Sequence, residues 1–186
     1  MQRLGEEALR QRPPLFGIAG YKNAGKTTLI VDLVRDLVAR GWRVGTIKHA
    51  HHDFDIDHPG KDSHRHRSAG AAEVIVASAR RVAHIRELGS EREPTLDELS
   101  ARMVDVDLVL VEGWKSGGQP RLELRRDAAP APAIAGNSPG VVAIVSDTPI
   151  AGEALPVLIR DNVAGIADFV LAAVGLPPVP ARDGRG

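Results

Sequence analysis

Eight residues, Gly20-Tyr21-Lys22-Asn23-Ala24-Gly25-Lys26-Thr27, constrain this chain more than any others. They fit the spacing G-x-x-x-x-G-K-[ST], in which each fixed position has a physical task. The glycines let the main chain curl until successive N–H groups point inward at phosphate oxygens. A helix opening at Gly25 or Lys26 adds its unpaired N–H groups and the positive end of its dipole. Lys26 is then placed to neutralise β/γ-phosphate charge, and the Thr27 hydroxyl to ligate Mg²⁺. A Gly-rich turn before an ordinary helix is the plainer alternative. Against it stands the context, an apolar run from Leu15 to Ala19 before the loop and an amphipathic stretch after it.

That stretch carries Leu29, Ile30, Leu33, Val34, Leu37 and Val38 on one stripe of period 3.6, with Gly41 where a helix ends. Beyond it, short β-rich runs alternate with helical patterns, as in a mostly parallel sheet flanked by helices on both faces. Strands are expected at Leu15 to Ala19, Arg43 to His49, 73–77, 82–86, Asp107 to Val111, Arg121 to Arg125, Val141 to Val145 and Val157 to Ile159. A capping box at Thr95 to Glu98 opens one helix, and Asp161 or Asn162 caps the last. Residues 1–14 read as a flexible leader, 15–175 as one nucleotide-binding domain of the P-loop NTPase type, and 176–186 as a flexible tail.

A phosphate loop of this kind needs a second acid near the metal, at the end of a strand beside the first. Asp107 and Glu112 bracket the run Leu108-Val109-Leu110-Val111. In a parallel sheet every C-terminal strand end lies on the side of the loop, which selects Glu112. Asp107 is about 16 Å away along an extended strand, too far to share the ion. Thr27 and Glu112 are therefore the metal candidates, although a turn carboxylate before Gly113 is the simpler alternative.

Six of the seven histidines fall between His49 and His66, among Asp53, Asp55, Asp57 and Asp62. Three readings stay open: a transition-metal site, a solvated loop, and a segment that responds to the γ-phosphate. The third is favoured because the stretch leaves the C-terminal end of the second strand. Asp53 or Asp55 would then orient the metal-bound or attacking water, with Lys26 as the third catalytic candidate.

Asp147 ends the buried run from Val141. A carboxylate there can accept two hydrogen bonds from a guanine edge, which adenine cannot supply, so GTP is favoured over ATP. An ordinary turn aspartate is the alternative. Arg121, Arg125 and Arg126 suit either an acidic or phosphate partner or a charged, solvent-exposed edge strand. Lys+Arg and Asp+Glu balance at 24 each, which argues against a broad nucleic-acid or membrane surface. Cysteine is absent, so disulfides and Cys-metal sites are excluded, in keeping with a reducing cytoplasm. No apolar run approaches the roughly 20 residues of a membrane span.

With these residues in view, the sequence resembles the molybdopterin-guanine dinucleotide biosynthesis protein B family. The resemblance rests on Gly20 to Thr28, Thr-Ile-Lys-His (46–49), His-His-Asp-Phe-Asp-Ile-Asp (51–57) and Pro-Gly-Lys-Asp-Ser (59–63). It continues through Arg-His-Arg-Ser-Ala-Gly-Ala (65–71), Val-Glu-Gly-Trp-Lys (111–115) and Ile-Val-Ser-Asp (144–147). It implies a GTP-binding, weakly GTP-hydrolysing homodimer that works beside a molybdenum cofactor guanylyltransferase and assists attachment of GMP to molybdopterin. Gly20, Tyr21, Lys22, Asn23, Ala24, Gly25, Lys26, Thr27 and Thr28 become the nucleotide loop, with Thr27 and Glu112 around Mg²⁺. Some dimerising ATPases of this class carry an extra lysine four places before the second loop glycine; here that place is Tyr21. A lysine crossing into a partner's phosphates is therefore not expected.

Three functions follow. An accessory GTPase would be slow, because no clear water-positioning Gln or arginine finger accompanies the cradle. A small-molecule kinase would share loop and metal site and use Arg121 to Arg126 in a lid. A nucleotide-dependent adaptor would change partner affinity without significant turnover.

Overall fold

In a computed structural model the motif lies between strand β1 (Leu15–Ala19) and helix α1 (Lys26–Ala39). The structure describes residues 12–50, 54–114, 117–127, 132–135 and 138–180. They form two compact units, one from the chain up to His49 together with Leu96 onward, the other Ala50–Thr95.

The first unit is built on a six-stranded sheet. Its strands are β1, β2 (Val44–Lys48), β5 (Leu108–Glu112), β6 (Arg121–Leu124), β7 (Val141–Ser146) and β8 (Val157–Ile159), in the order β2-β5-β1-β6-β7-β8. All pairings in it are parallel. Phe16, Ile18, Leu108, Leu110, Leu122, Leu124, Ala143 and Val145 face one side. There they pack on α1 through Leu29, Ile30, Leu33 and Leu37, and on α4 (Val163–Ala173) through Ile166, Ala167, Val170 and Leu171. The alternate residues Val109 and Val111, with Ile47, meet Leu96 of helix α3 (Leu96–Ser100) on the other side. Helices thus cover both faces, as expected for a parallel sheet. Each fully buried aliphatic side chain contributes roughly 1.5–3 kcal/mol, so β5, buried along its whole length, is a main anchor of the unit.

Helix α1 stops where the sequence indicates. Gly41 has φ 99° and donates to Val38 O, while Trp42 N reaches back to Leu37 O, the two bonds of a Schellman cap. Arg40 then fastens α1 to α4 through Asp168 and the Ala164 carbonyl. Of the two capping candidates for α4, Asn162 is the one used, its Oδ1 accepting from Gly165 N at 3.0 Å.

One strand differs from expectation. The alternation Arg121-Leu122-Glu123-Leu124 suggests an exposed edge, but β6 lies between β1 and β7 and all four residues are buried. The charges are satisfied internally instead of by water. Glu123 is 2% exposed and accepts from Ile134 N, Ala135 N and Arg125, and Arg125 also pairs with Glu153. Arg121 donates to the Gly117 carbonyl at 2.7 Å. A polar layer inside a sheet has the same period-2 pattern as a solvated face.

The second unit holds helix α2 (Asp62–Ser68) and an antiparallel hairpin of β3 (Glu73–Ala77) and β4 (Val82–Arg86). Arg67 organises it. Its guanidinium binds Asp55 at 2.8 Å, Asp57 at 3.5 Å and Glu87 at 2.7 Å, joining the segment before α2 to the residue after the hairpin.

Candidate nucleotide-binding site

The loop between β1 and α1 owes its shape to a few local features. Gly25 precedes α1 with φ 87°, a conformation that costs a residue with a Cβ, and Asn23 adopts φ 65°, tolerable for its short polar side chain. Ala24 is 4% exposed and belongs to the main core, which pins the middle of the loop while Tyr21, Lys22 and Asn23 stay exposed. Lys26 folds back over the loop, its Nζ donating to Gly20 O at 2.9 Å and Tyr21 O at 2.8 Å. Thr27 and Thr28 lie in the first turn of α1, where N–H groups have no partner within the helix.

Glu112 closes the site from the neighbouring strand. It ends β5 in register with Ile18 of β1 and Lys48 of β2, so two parallel strands carry it to the loop. Thr27 Oγ1 donates to Glu112 Oε1 at 2.8 Å, and Lys48 Nζ lies 3.4 Å from Oε2. Asp107 is at the opposite end of β5, where its carboxylate accepts from Arg43 N and links the starts of β2 and β5. A hydroxyl and a carboxylate side by side are the hard oxygen donors that suit Mg²⁺. Burial lowers the Lys26 pKa, Glu112 works against that, and Lys48 adds to it. Lys26 is thus a cation without full compensation, a state that a bound polyanion relieves.

Asp147 follows β7 at the same end of the sheet. Its Oδ2 accepts from Arg126 Nε at 2.8 Å and from Asp127 N at 3.1 Å. Desolvation raises its pKa, but the Arg126 and Asp127 hydrogen bonds, helped by the nearby charge of Arg160, outweigh it and hold the carboxyl below its usual range. Arg126 and Arg160 also crowd the loop. A Cβ on Gly25 would lie 3.1 and 3.2 Å from the two Arg160 Nη atoms and 3.3 Å from Arg126 Nη1.

The structure therefore brings Gly20 to Thr28, Glu112 and Asp147 to one end of one sheet. Asp55 belongs to the second unit, where Arg67 and Asp57 N hold its carboxylate and keep its pKa low. Asp53 lies outside the described residues. Among the described residues no three His, Asp or Glu side chains group as a metal site. Arg121 is buried in β6, and Arg125, just after it, is half-buried and pairs with Glu123 and Glu153; of that trio Arg126 is the one whose guanidinium lies beside the loop. Lys48 and Arg160 were not singled out from the sequence as site residues. Their position at or just after the C-terminal end of a parallel strand is the signal that finds them.

A parallel sheet with a phosphate loop after its first strand, and an acid at the end of the adjacent strand, defines a fold of the P-loop NTPase type. The family described as molybdopterin guanine dinucleotide synthesis protein B matches residues 15–147. The molybdopterin-guanine dinucleotide biosynthesis adapter protein of Escherichia coli (strain K12) is 44% identical over 167 residues, 85% of this chain and 91% of that protein. Its Haemophilus influenzae (strain ATCC 51907 / DSM 11121 / KW20 / Rd) counterpart is 39% identical, over 84% of this chain and 87% of the relative. The crystal structure of a molybdopterin-guanine biosynthesis protein B superposes with a TM-score of 0.66 at 30% identity, covering 85% of this chain and 98% of that one. The chain belongs to the molybdopterin-guanine dinucleotide synthesis protein B family.

Proposed function

We propose that this protein is an accessory GTPase of molybdenum-cofactor maturation, binding GTP with Mg²⁺ and assisting a guanylyltransferase that joins GMP to molybdopterin. The observation that carries the reading is the Thr27–Glu112 contact beside the curled loop. It unites a phosphate cradle, a lysine and two hard oxygen donors at one strand end. Gly20 to Thr28 hold the phosphates, Thr27 and Glu112 the metal, and Asp147 the guanine edge. Mg²⁺ held by Thr27 and Glu112 would supply neutralisation of phosphate charge.

Turnover is slow in this account. Gln119, the sole glutamine among the described residues, is buried just before β6, at the end of the sheet away from the loop. It is not available to place an attacking water. The protein acts as a cytoplasmic homodimer; among the described residues no helix is long and apolar enough to cross a membrane.

The test is incubation with γ-labelled GTP, with and without a guanylyltransferase and molybdopterin. Slow release of free phosphate, together with faster formation of the guanine dinucleotide, supports the reading. A phosphorylated small molecule would instead reveal a kinase. Nucleotide-dependent capture of the guanylyltransferase without phosphate release would reveal a pure adaptor.

A further inference from the structure

Arg160 stands just beyond β8, and Arg126 two residues beyond β6. They come from strands separated by β7, yet both guanidinium groups arrive against Gly25, within 3.1–3.3 Å of where a side chain there would begin. Packing two like charges against one glycine is unfavourable unless an anion joins them. The only carboxylate binding either group among the described residues is Asp147, and it is engaged by Arg126 alone. Arg160 has no ion-pair partner among the described residues, although its charge is felt at Asp147.

The backbone holds the pair in place. Arg160 N donates to Ser146 O at 2.9 Å, and the Asp147 carboxylate receives both Arg126 Nε and Asp127 N. Gly25 is the residue whose missing side chain leaves room for the two heads beside the start of α1. Lys26 and Lys48 stand with Glu112 at the same end of the sheet. Arg126 and Arg160 thus add a second cationic group, nearer the aspartate that follows β7 than the carboxylate that ends β5.

We propose that Arg126 and Arg160 form a clamp, supplied by the same chain, on the phosphates of a bound nucleoside polyphosphate. The proposal rests on the nucleotide site described above and extends it. Arg160 is the dedicated member. Arg126 bridges the clamp to Asp147, so the group that receives the base and the groups that receive the phosphates share one side chain. Guanidinium suits this task, since its planar fork donates to two oxygens of a phosphate at once.

The experiment is calorimetric titration of the full chain with GTP and with GDP, Mg²⁺ present, for the wild type, Lys26→Ala, Arg160→Gln, Arg160→Lys and Arg126→Gln. Thermal unfolding of each nucleotide-free protein is recorded in parallel. The clamp predicts that Arg160→Gln weakens both nucleotides at least tenfold while the nucleotide-free unfolding midpoint stays at the wild-type value. Arg160→Lys, keeping the charge without the fork, retains an affinity between those two. Arg126→Gln weakens binding as well. Arg160→Gln and Arg126→Gln binding within twofold of wild type, with Lys26→Ala failing to bind, would overturn the clamp and leave the nucleotide site standing. A wild type that binds neither nucleotide would remove both. Should Arg160→Gln fail to fold, an Arg160→Lys affinity equal to wild type would contradict the need for a fork, and a reduced one would support it.

Discussion

Thr27 Oγ1 and Glu112 Oε1 are 2.8 Å apart although 85 residues separate them in the chain. The contact exists because Thr27 lies in the first turn of α1, while Glu112 is carried to the same end of the sheet on the strand paired with β1. With Lys48 on the other carboxylate oxygen, Glu112 already holds one hydroxyl and one cation. In the proposed site Thr27 and Glu112 would hold a divalent ion, which would supply positive charge beside the phosphates.

Glu112→Gln should therefore uncouple nucleotide from metal. With Mg²⁺ present, GTP affinity should fall at least about tenfold, roughly 1.4 kcal/mol. In chelator the variant and the wild type should bind alike. Titration with and without Mg²⁺ measures both, and an undiminished metal effect would place the ion elsewhere.

Asp147→Asn should bring GTP and ATP affinities towards each other, because the amide offers one acceptor and one donor where the guanine edge presents two donors. The same change removes the negative charge with which Arg126 is paired. Competition binding with the two nucleotides reports the ratio. A preference left at its wild-type value would mean that the base is read by other groups.

The buried layer on β6 has a pH signature. Desolvation pushes the Glu123 pKa up, but Arg125 and the N–H groups of Ile134 and Ala135 prevail and set it below the ordinary value. A depressed carboxylate pKa favours the ionised folded form. This stability is present above the unfolded value near 4.3 and is lost as pH falls through the lower folded value. Glu123→Gln should cost on the order of 1–3 kcal/mol at neutral pH, since a partner of Arg125 loses its charge inside the protein. The gap from wild type should narrow on acidification. Urea midpoints at pH 7 and about pH 4 test this, and a gap that widens in acid would reverse the assignment.

Much of this was legible in the chain. The loop, the stripe of α1, the Gly41 stop and the selection of Glu112 over Asp107 each follow from a local pattern joined to one topological rule. The hairpin strands β3 and β4 were visible as runs, but their antiparallel pairing in a separate unit was not, because short apolar runs do not state their partners. β6 misled for a physical reason: Arg121 and Glu123 alternate with leucines as a solvated strand does, and only tertiary contacts to Gly117, Ile134 and Ala135 show them buried. Arg160 was missed because one arginine after a three-residue strand carries no motif. Its meaning appears only when β8 is placed in the same sheet, three strands from β1 and with its C-terminal end on the side of the loop.

The most direct test of the account is isothermal titration of GTP·Mg²⁺ into the wild type and into Lys26→Ala. The wild type should bind, and the variant should lose at least about a hundredfold in affinity, roughly 2.7 kcal/mol. Equal affinity in the two proteins would contradict a phosphate site at Gly20 to Thr27.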